Sequence, residues 1–99
     1  MNIGLDFDGT TTLDTFFFSE FIKLAKRCGH RVIMVTFRGN QQDNFDIEGF
    51  CADNDIRLVY TDGQQKQSYC SFNDIKIDVW IDDMPILIPS EDVIRLAKL

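Results

Sequence analysis

Apolar residues in this chain fall into short runs set between amphipathic stretches. Asn2 to Asp6 reads as a first strand, centred on Ile3-Gly4-Leu5. From about Phe16 to Cys28, Phe17, Phe21, Leu24 and Cys28 recur at helical spacing, as do Phe18, Ile22 and Ala25. Asp14 or Thr15 can cap that helix, and Gly29 closes it. The Phe16-Phe17-Phe18 run is expected to lie mostly in the core, with one ring facing outward. Arg31 to Thr36 is nearly all apolar, the pattern of a strand buried on both faces. Asp43 to Asn54 reads as a second helix, with Phe45, Ile47, Phe50 and Cys51 partly in register and Gly49 weakening it. Ile56 to Tyr60 is a third strand. Polar Thr61 to Gln67 forms a loop before a short helix near Tyr69. Asp78 to Asp83 is a fourth strand that ends in acid. Ile86-Leu87-Ile88 is expected as a short fifth strand, and Glu91 to Leu99 as a final helix after Pro89.

This alternation predicts an α/β fold: a three-layer, Rossmann-like sandwich with a mostly parallel five-stranded sheet between helices, in a single domain over residues 1–99. Sheets of this kind bind ligands beyond the carboxyl ends of their strands, where the strand order reverses. Four segments deliver polar side chains there: Asp6 and Asp8 after the first strand, Thr36 at the end of the second, Lys66 after the third, and Asp82 and Asp83 at the end of the fourth. If the first strand runs on through Asp8, both of its carboxylates point the same way. Gly9 then lets the chain turn. Two crowded carboxylates need a proton or a cation between them, which suits a magnesium site better than a core.

Composition narrows the function classes. The net charge of −6 argues against non-specific nucleic-acid or acidic-lipid binding. No apolar run reaches the ~20 residues that span a bilayer, and Asp6 and Asp8 interrupt any leader-like start. Three cysteines, Cys28, Cys51 and Cys70, lack CxxC spacing, so a disulfide framework is not expected and a reducing cytoplasm is.

The four polar segments resemble, in order, the four motifs of the haloacid dehalogenase superfamily. Asp6-Phe7-Asp8-Gly9-Thr10 matches the first, Thr36 the second, Lys66 the third, and Trp80-Ile81-Asp82-Asp83-Met84-Pro85 the fourth, in its Asp-Asp-x-Pro form. The first and fourth are distinctive, whereas the Thr and Lys motifs are single residues. The resemblance implies a phosphate-monoester phosphatase with Mg2+ as cofactor, acting on a phosphorylated small molecule, nucleotide or macromolecule. It implies Asp6 as the nucleophile that forms an aspartyl-phosphate, and Asp8 as general acid and base. The metal ligands it implies are the Asp6 carboxylate, the Asp8 main-chain carbonyl and a carboxylate of the Asp82-Asp83 pair, with Asp83 favoured and Asp82 behind it. Thr36 and nearby amides would hold phosphoryl oxygens, and Lys66 would neutralise them and keep Asp6 ionised; Lys76 is the rival for that role. Thr10 would support the turn beside the site, and Phe37 and Arg38, next to Thr36, would meet the substrate.

Blander readings exist for each residue. Isolated Asp pairs commonly cap turns, but a pair in Asp-x-Asp-Gly-Thr after an apolar strand points to chemistry. Asp82 and Asp83 could be a solvated strand end, Thr36 a cap, and Lys66 or Arg38 plain surface. His30 reads as a loop residue. Two lookalikes are excluded by arrangement. A calcium loop needs glycine five after its first Asp, and a receiver domain carries its acidic pair first and its phosphorylated Asp after strand three. Too few residues follow Asp8, or lie between Tyr60 and Asp78, to hold a cap domain, so the chain resembles the capless subgroup. An open site excludes water poorly. That leaves large substrates, or a second subunit as cover, as expectations. Thr11 and Thr12 depart from the pattern, since many relatives carry an aliphatic residue there. A catalytically weak metal- or phosphate-binding module of the same fold, or a phosphotransferase, is the alternative.

Overall fold

The computed structural model describes residues 1–89. Its elements are β1 (Asn2–Leu5), α1 (Thr15–Arg27), β2 (Arg31–Thr36), α2 (Phe45–Asp53), β3 (Arg57–Tyr60), α3 (Lys66–Phe72) and β4 (Val79–Ile81), with single 3-10 turns at Thr11–Leu13 and Pro85–Leu87. Four parallel strands form one sheet in the order β3-β2-β1-β4. The expected final helix, Glu91 to Leu99, lies outside the described residues.

The strand order explains where the helices lie. The steps β1 to β2 and β2 to β3 move the same way across the sheet, so α1 and α2 share a face. The step β3 to β4 runs back past β1, and α3 covers the opposite face. Two cores result. Ile3, Leu5, Val32 and Met34 pack against Ile22 and Ala25 of α1 and Ile47 and Cys51 of α2. Ile33, Val35 and Val59 pack against Cys70 of α3 and Ile75. The order reverses at β1, with β2 on one side and β4 on the other. That switch point is where parallel sheets open a ligand crevice.

Within α1, Phe18, Phe21, Ile22 and Ala25 form the buried stripe, and Asp14 caps the helix by accepting from the Phe17 N–H at 2.9 Å. The other expected stripe divides: Phe21 packs against the core, while Phe17, Leu24 and Cys28 face outward. Phe17 and Leu24 are 56% and 51% exposed, and so is Phe16 at 75%. Two of the three consecutive rings therefore face outward, because a helix of 3.6 residues per turn can aim only part of such a run at the sheet.

The fifth strand is a correction. Ile86 and Leu87 belong to a 3-10 turn, in which the Leu87 N–H donates to Met84 O and the Ile88 N–H to Pro85 O. Pro85 has no N–H for a sheet ladder, and its fixed φ suits the first position of a helical turn. Lys66 likewise is not in the loop; it opens α3. No helix among the described residues is long and apolar enough to cross a membrane.

Gly4 sets the fit of the second core. A Cβ there would lie 2.6 Å from the Trp80 ring and 3.0 Å from Ile77 Cγ2. Trp80 is the single tryptophan, and its Nε1–H donates to Gln67 Oε1 of α3 at 3.1 Å. Gly4→Ala is therefore expected to cost ~1–3 kcal/mol through overpacking. Urea unfolding followed by Trp80 fluorescence would show the lowered midpoint; an unchanged midpoint would mean that the ring moves aside freely.

Candidate functional site

In a parallel sheet all strands end on one edge, and here the chain leaves that edge carrying its acidic residues. Asp6 is the first residue beyond β1. Its N–H donates to Ile81 O at 3.0 Å, which carries the ladder one step further. The chain then turns. Phe7 O accepts from the N–H groups of Thr10 and Thr12, while the Phe7 ring is buried in the first core. Thr11, fully buried, donates its hydroxyl to Asp6 O at 2.6 Å, and Thr12 Oγ1 accepts from the Gly9 N–H at 2.9 Å. Thr11 and Thr12 thus close the turn by hydrogen bonds. Gly9 takes φ +79°, and a Cβ there would meet Asp83 Oδ2 at 2.5 Å. Only glycine gives this turn both its backbone angle and its approach to Asp83.

Lys66 is the centre of the cluster. It is fully buried at the start of α3, with Nζ 2.9 Å from Asp6 Oδ1 and 2.5 Å from Asp82 Oδ2. Thr10 Oγ1 donates to Asp6 Oδ2 at 3.0 Å and accepts from the Asp83 N–H at 3.1 Å, so it ties the first loop to the last. Asp82 Oδ1 accepts from the Met84 N–H. Oxygens of Asp6, Asp82 and Asp83 lie within 4.8 Å of one another, a spacing that could hold a metal ion. Asp83 is the exposed member of this group. Burial pushes the Asp6 carboxyl up from an ordinary 3.8 to about 6, and the Lys66 ammonium pulls against that rise without cancelling it. Lys76 stands at the other end of the sheet. Its side chain is 82% exposed, with Nζ 3.5 Å from Asp78 Oδ1, and its carbonyl accepts from Asn2 Nδ2 at the start of β1. Lys66, not Lys76, is the lysine beside Asp6.

The strand does not run on through Asp8. β1 ends at Leu5, and the turn sends Asp8 elsewhere. Its carboxylate receives Arg38 Nε at 2.9 Å and Arg38 Nη2 at 2.7 Å, apart from the three that converge. Thr36 ends β2. Leu5 is level with Met34, so Thr36 stands one step beyond Asp6 on the neighbouring strand. Thr36 is buried, and its Oγ1 accepts from the Arg38 N–H at 3.2 Å. Phe37 O accepts from the Gly63 N–H, which laces the loop after β2 to the loop after β3. Asp46 and Asn44, at the start of α2, also bind Arg38. They carry no motif, and only their place in the first turn of a helix that follows a strand end could have signalled them.

Comparison with protein-family models, curated proteins and solved structures gives no match, so the site is read from its own geometry.

Lys66→Met would leave Asp6 and Asp82 without their shared cation, at an expected cost of ~3–5 kcal/mol near pH 7.5. An acid whose pKa rises on folding contributes stability at low pH that is lost as pH climbs through the folded value. Loss of the ammonium lifts Asp6 further, so the deficit should shrink at pH 5. Paired urea titrations at the two pH values would check this, and a deficit equal at both would refute the ion-pair account.

Proposed function

We propose that this protein is a magnesium-dependent phosphohydrolase that cleaves phosphate monoesters through a phosphorylated Asp6. The reading is supported above all by the convergence of Asp6, Asp82, Asp83 and Lys66 at the switch point of a parallel sheet. Three carboxylates and one ammonium sum to a formal charge of −3 + 1 = −2, which a divalent cation would balance. An all-oxygen donor set suits Mg2+. Both oxygens of Asp82 already accept hydrogen bonds, whereas Asp83 is exposed. Asp83 would therefore face the ion with Asp82 behind it, and the family resemblance adds the Asp6 carboxylate and the Asp8 main-chain carbonyl. When bound, the ion would neutralise charge on the phosphoryl oxygens.

The side chains divide the work. An Asp6 oxygen attacks phosphorus, the ester P–O bond breaks, and Asp8 gives its proton to the departing oxygen. Water then attacks phosphorus, Asp8 takes its proton, and the Asp6–phosphoryl bond breaks to restore the carboxylate. Lys66 opposes the burial that would protonate Asp6. Thr10 fixes the second Asp6 oxygen. Thr36, whose oxygen already accepts from Arg38, donates to a phosphoryl oxygen beside Phe37. Three free cysteines fit a reducing compartment, and we place the protein in the cytoplasm. The exposed Leu13, Phe16 and Phe17 follow the first turn, where a second copy would cover the open site.

The engagement of Asp8 by Arg38 favours a second reading, a catalytically weak metal- or phosphate-binding module. A phosphotransferase differs from the first reading only in passing the phosphoryl group to an alcohol. Turnover of p-nitrophenyl phosphate with and without Mg2+ separates these readings. The enzyme should require the metal, lose roughly 10²–10⁴-fold in Asp8→Asn, and fall to background in Asp6→Asn. A wild-type protein that is stabilised thermally by Mg2+ but turns over no phosphate ester would establish the module instead.

A further inference from the structure

Arg38 makes five hydrogen bonds, as many as a guanidinium has N–H groups. One edge binds Asp8, with Nε to Oδ2 and Nη2 to Oδ1. The rest binds the start of α2: Nη1 donates to Asp46 Oδ1 at 2.8 Å and Asn44 Oδ1 at 3.3 Å, and Nη2 to Asp46 Oδ2 at 3.1 Å. The grip is itself anchored. Asn44 is buried and donates its Nδ2 to Gly39 O, while Asp46 Oδ1 also accepts from the Ile47 N–H. The guanidinium carbon lies 5.5 Å from the centre of the buried Phe7 ring. Asp8, by contrast, has a side chain 55% exposed, and Arg38 is what fixes its rotamer.

No N–H of Arg38 is left for a phosphate. The geometry points to Arg38 as the positioning residue of Asp8: held by Asp46 and Asn44, its fork fixes the direction of both Asp8 oxygens, and it is not a ligand of the substrate phosphate. Asp46 is then the residue through which the first turn of α2 bears on the chemistry. This rests on the phosphohydrolase reading, in which Asp8 is the acid and base. It differs from the substrate-contact role expected of Arg38 from the sequence. A phosphate ligand contributes whether or not Asp8 is present, whereas a positioning residue acts through the group it orients and contributes nothing more once that group is lost.

The test is a double-mutant cycle on p-nitrophenyl phosphate with Mg2+, using Arg38→Ala, Arg38→Lys, Asp8→Asn and Arg38→Ala with Asp8→Asn. Arg38→Ala is expected to lower kcat on the order of tenfold to a hundredfold with KM within about twofold. Lysine should not rescue it, because it cannot bind a carboxylate through a planar fork. The double variant should be no slower than Asp8→Asn alone. Losses that multiply, a KM raised about tenfold or more, or full rescue by lysine would overturn the assignment. A second measurement needs no turnover: the carbon-13 shift of the Asp8 carboxyl and the Arg38 Nε–H resonance, read in wild type and in Asp46→Asn. Both should move when Asp46 loses its charge, and an unmoved Asp8 signal would overturn the assignment. Absence of turnover in the wild type would remove the phosphohydrolase reading, and the resonances would still decide whether Asp46 sets Asp8 through Arg38.

Discussion

The candidate site depends on one ammonium group placed where water does not reach. Lys66 sits between Asp6 and Asp82, with both ion pairs almost wholly buried. Burial of a lone carboxylate is costly, and burial of two side by side costs more. A lysine brought from the far side of the chain offsets that cost. The offset at Asp6 is incomplete, because burial still holds its carboxyl near 6. A carboxyl lifted by burial and opposed by a single ammonium is a pattern that functional sites share with structural ion-pair networks.

The frame around that ammonium leaves it little freedom. Lys66 enters α3 as its first residue, and the next residue, Gln67, is tied twice. Its N–H donates to Ile88 O at 2.8 Å, and its side chain accepts from Trp80. The segment after β4 therefore covers the start of α3, and β4 presses on the same helix through Trp80. On the other side Thr10 bridges Asp6 and the Asp83 backbone, and Gly9 passes close beneath Asp83. Three loops far apart in sequence are thus pinned to one another by short polar contacts, with the sheet beneath them held by two apolar cores.

Much of this was legible in the chain because each signal was local. Continuous apolar runs marked β1 and β2, helical spacing marked α1, and Asp-x-Asp-Gly-Thr and Asp-Asp-x-Pro marked the acidic loops. What escaped was set by tertiary geometry. Alternation along a strand puts Asp8 beside Asp6 only while the strand lasts, and it ends at Leu5. Ile86-Leu87-Ile88 has the composition of a strand, but Pro85 and the carbonyl of Met84 turn it into a helical turn. Lys66 in a polar stretch gave no hint of its complete burial, because only the fold reveals that two carboxylates wait for it. Asp46 gave less still; its partner lies eight residues back, on a different element.

The two charged clusters at this edge differ in kind. Around Lys66 the groups are dry, and around Arg38 they are partly in water, with Asp8 and Asp46 more than half exposed. The two clusters shift ionisation in opposite directions: burial lifts the Asp6 carboxyl, whereas hydrogen bonds from Arg38 hold the Asp46 carboxyl below its usual range. The residue types match that division. A lysine carries a compact charge that fits between two buried carboxylates, whereas an arginine carries a flat fork that orients two carboxylates at once. Phe7 separates the clusters in the chain, its ring buried in the first core and its face beneath the guanidinium. One turn of five residues, Asp6 to Thr10, thereby sends one aspartate to each, with the buried aromatic between them in the chain.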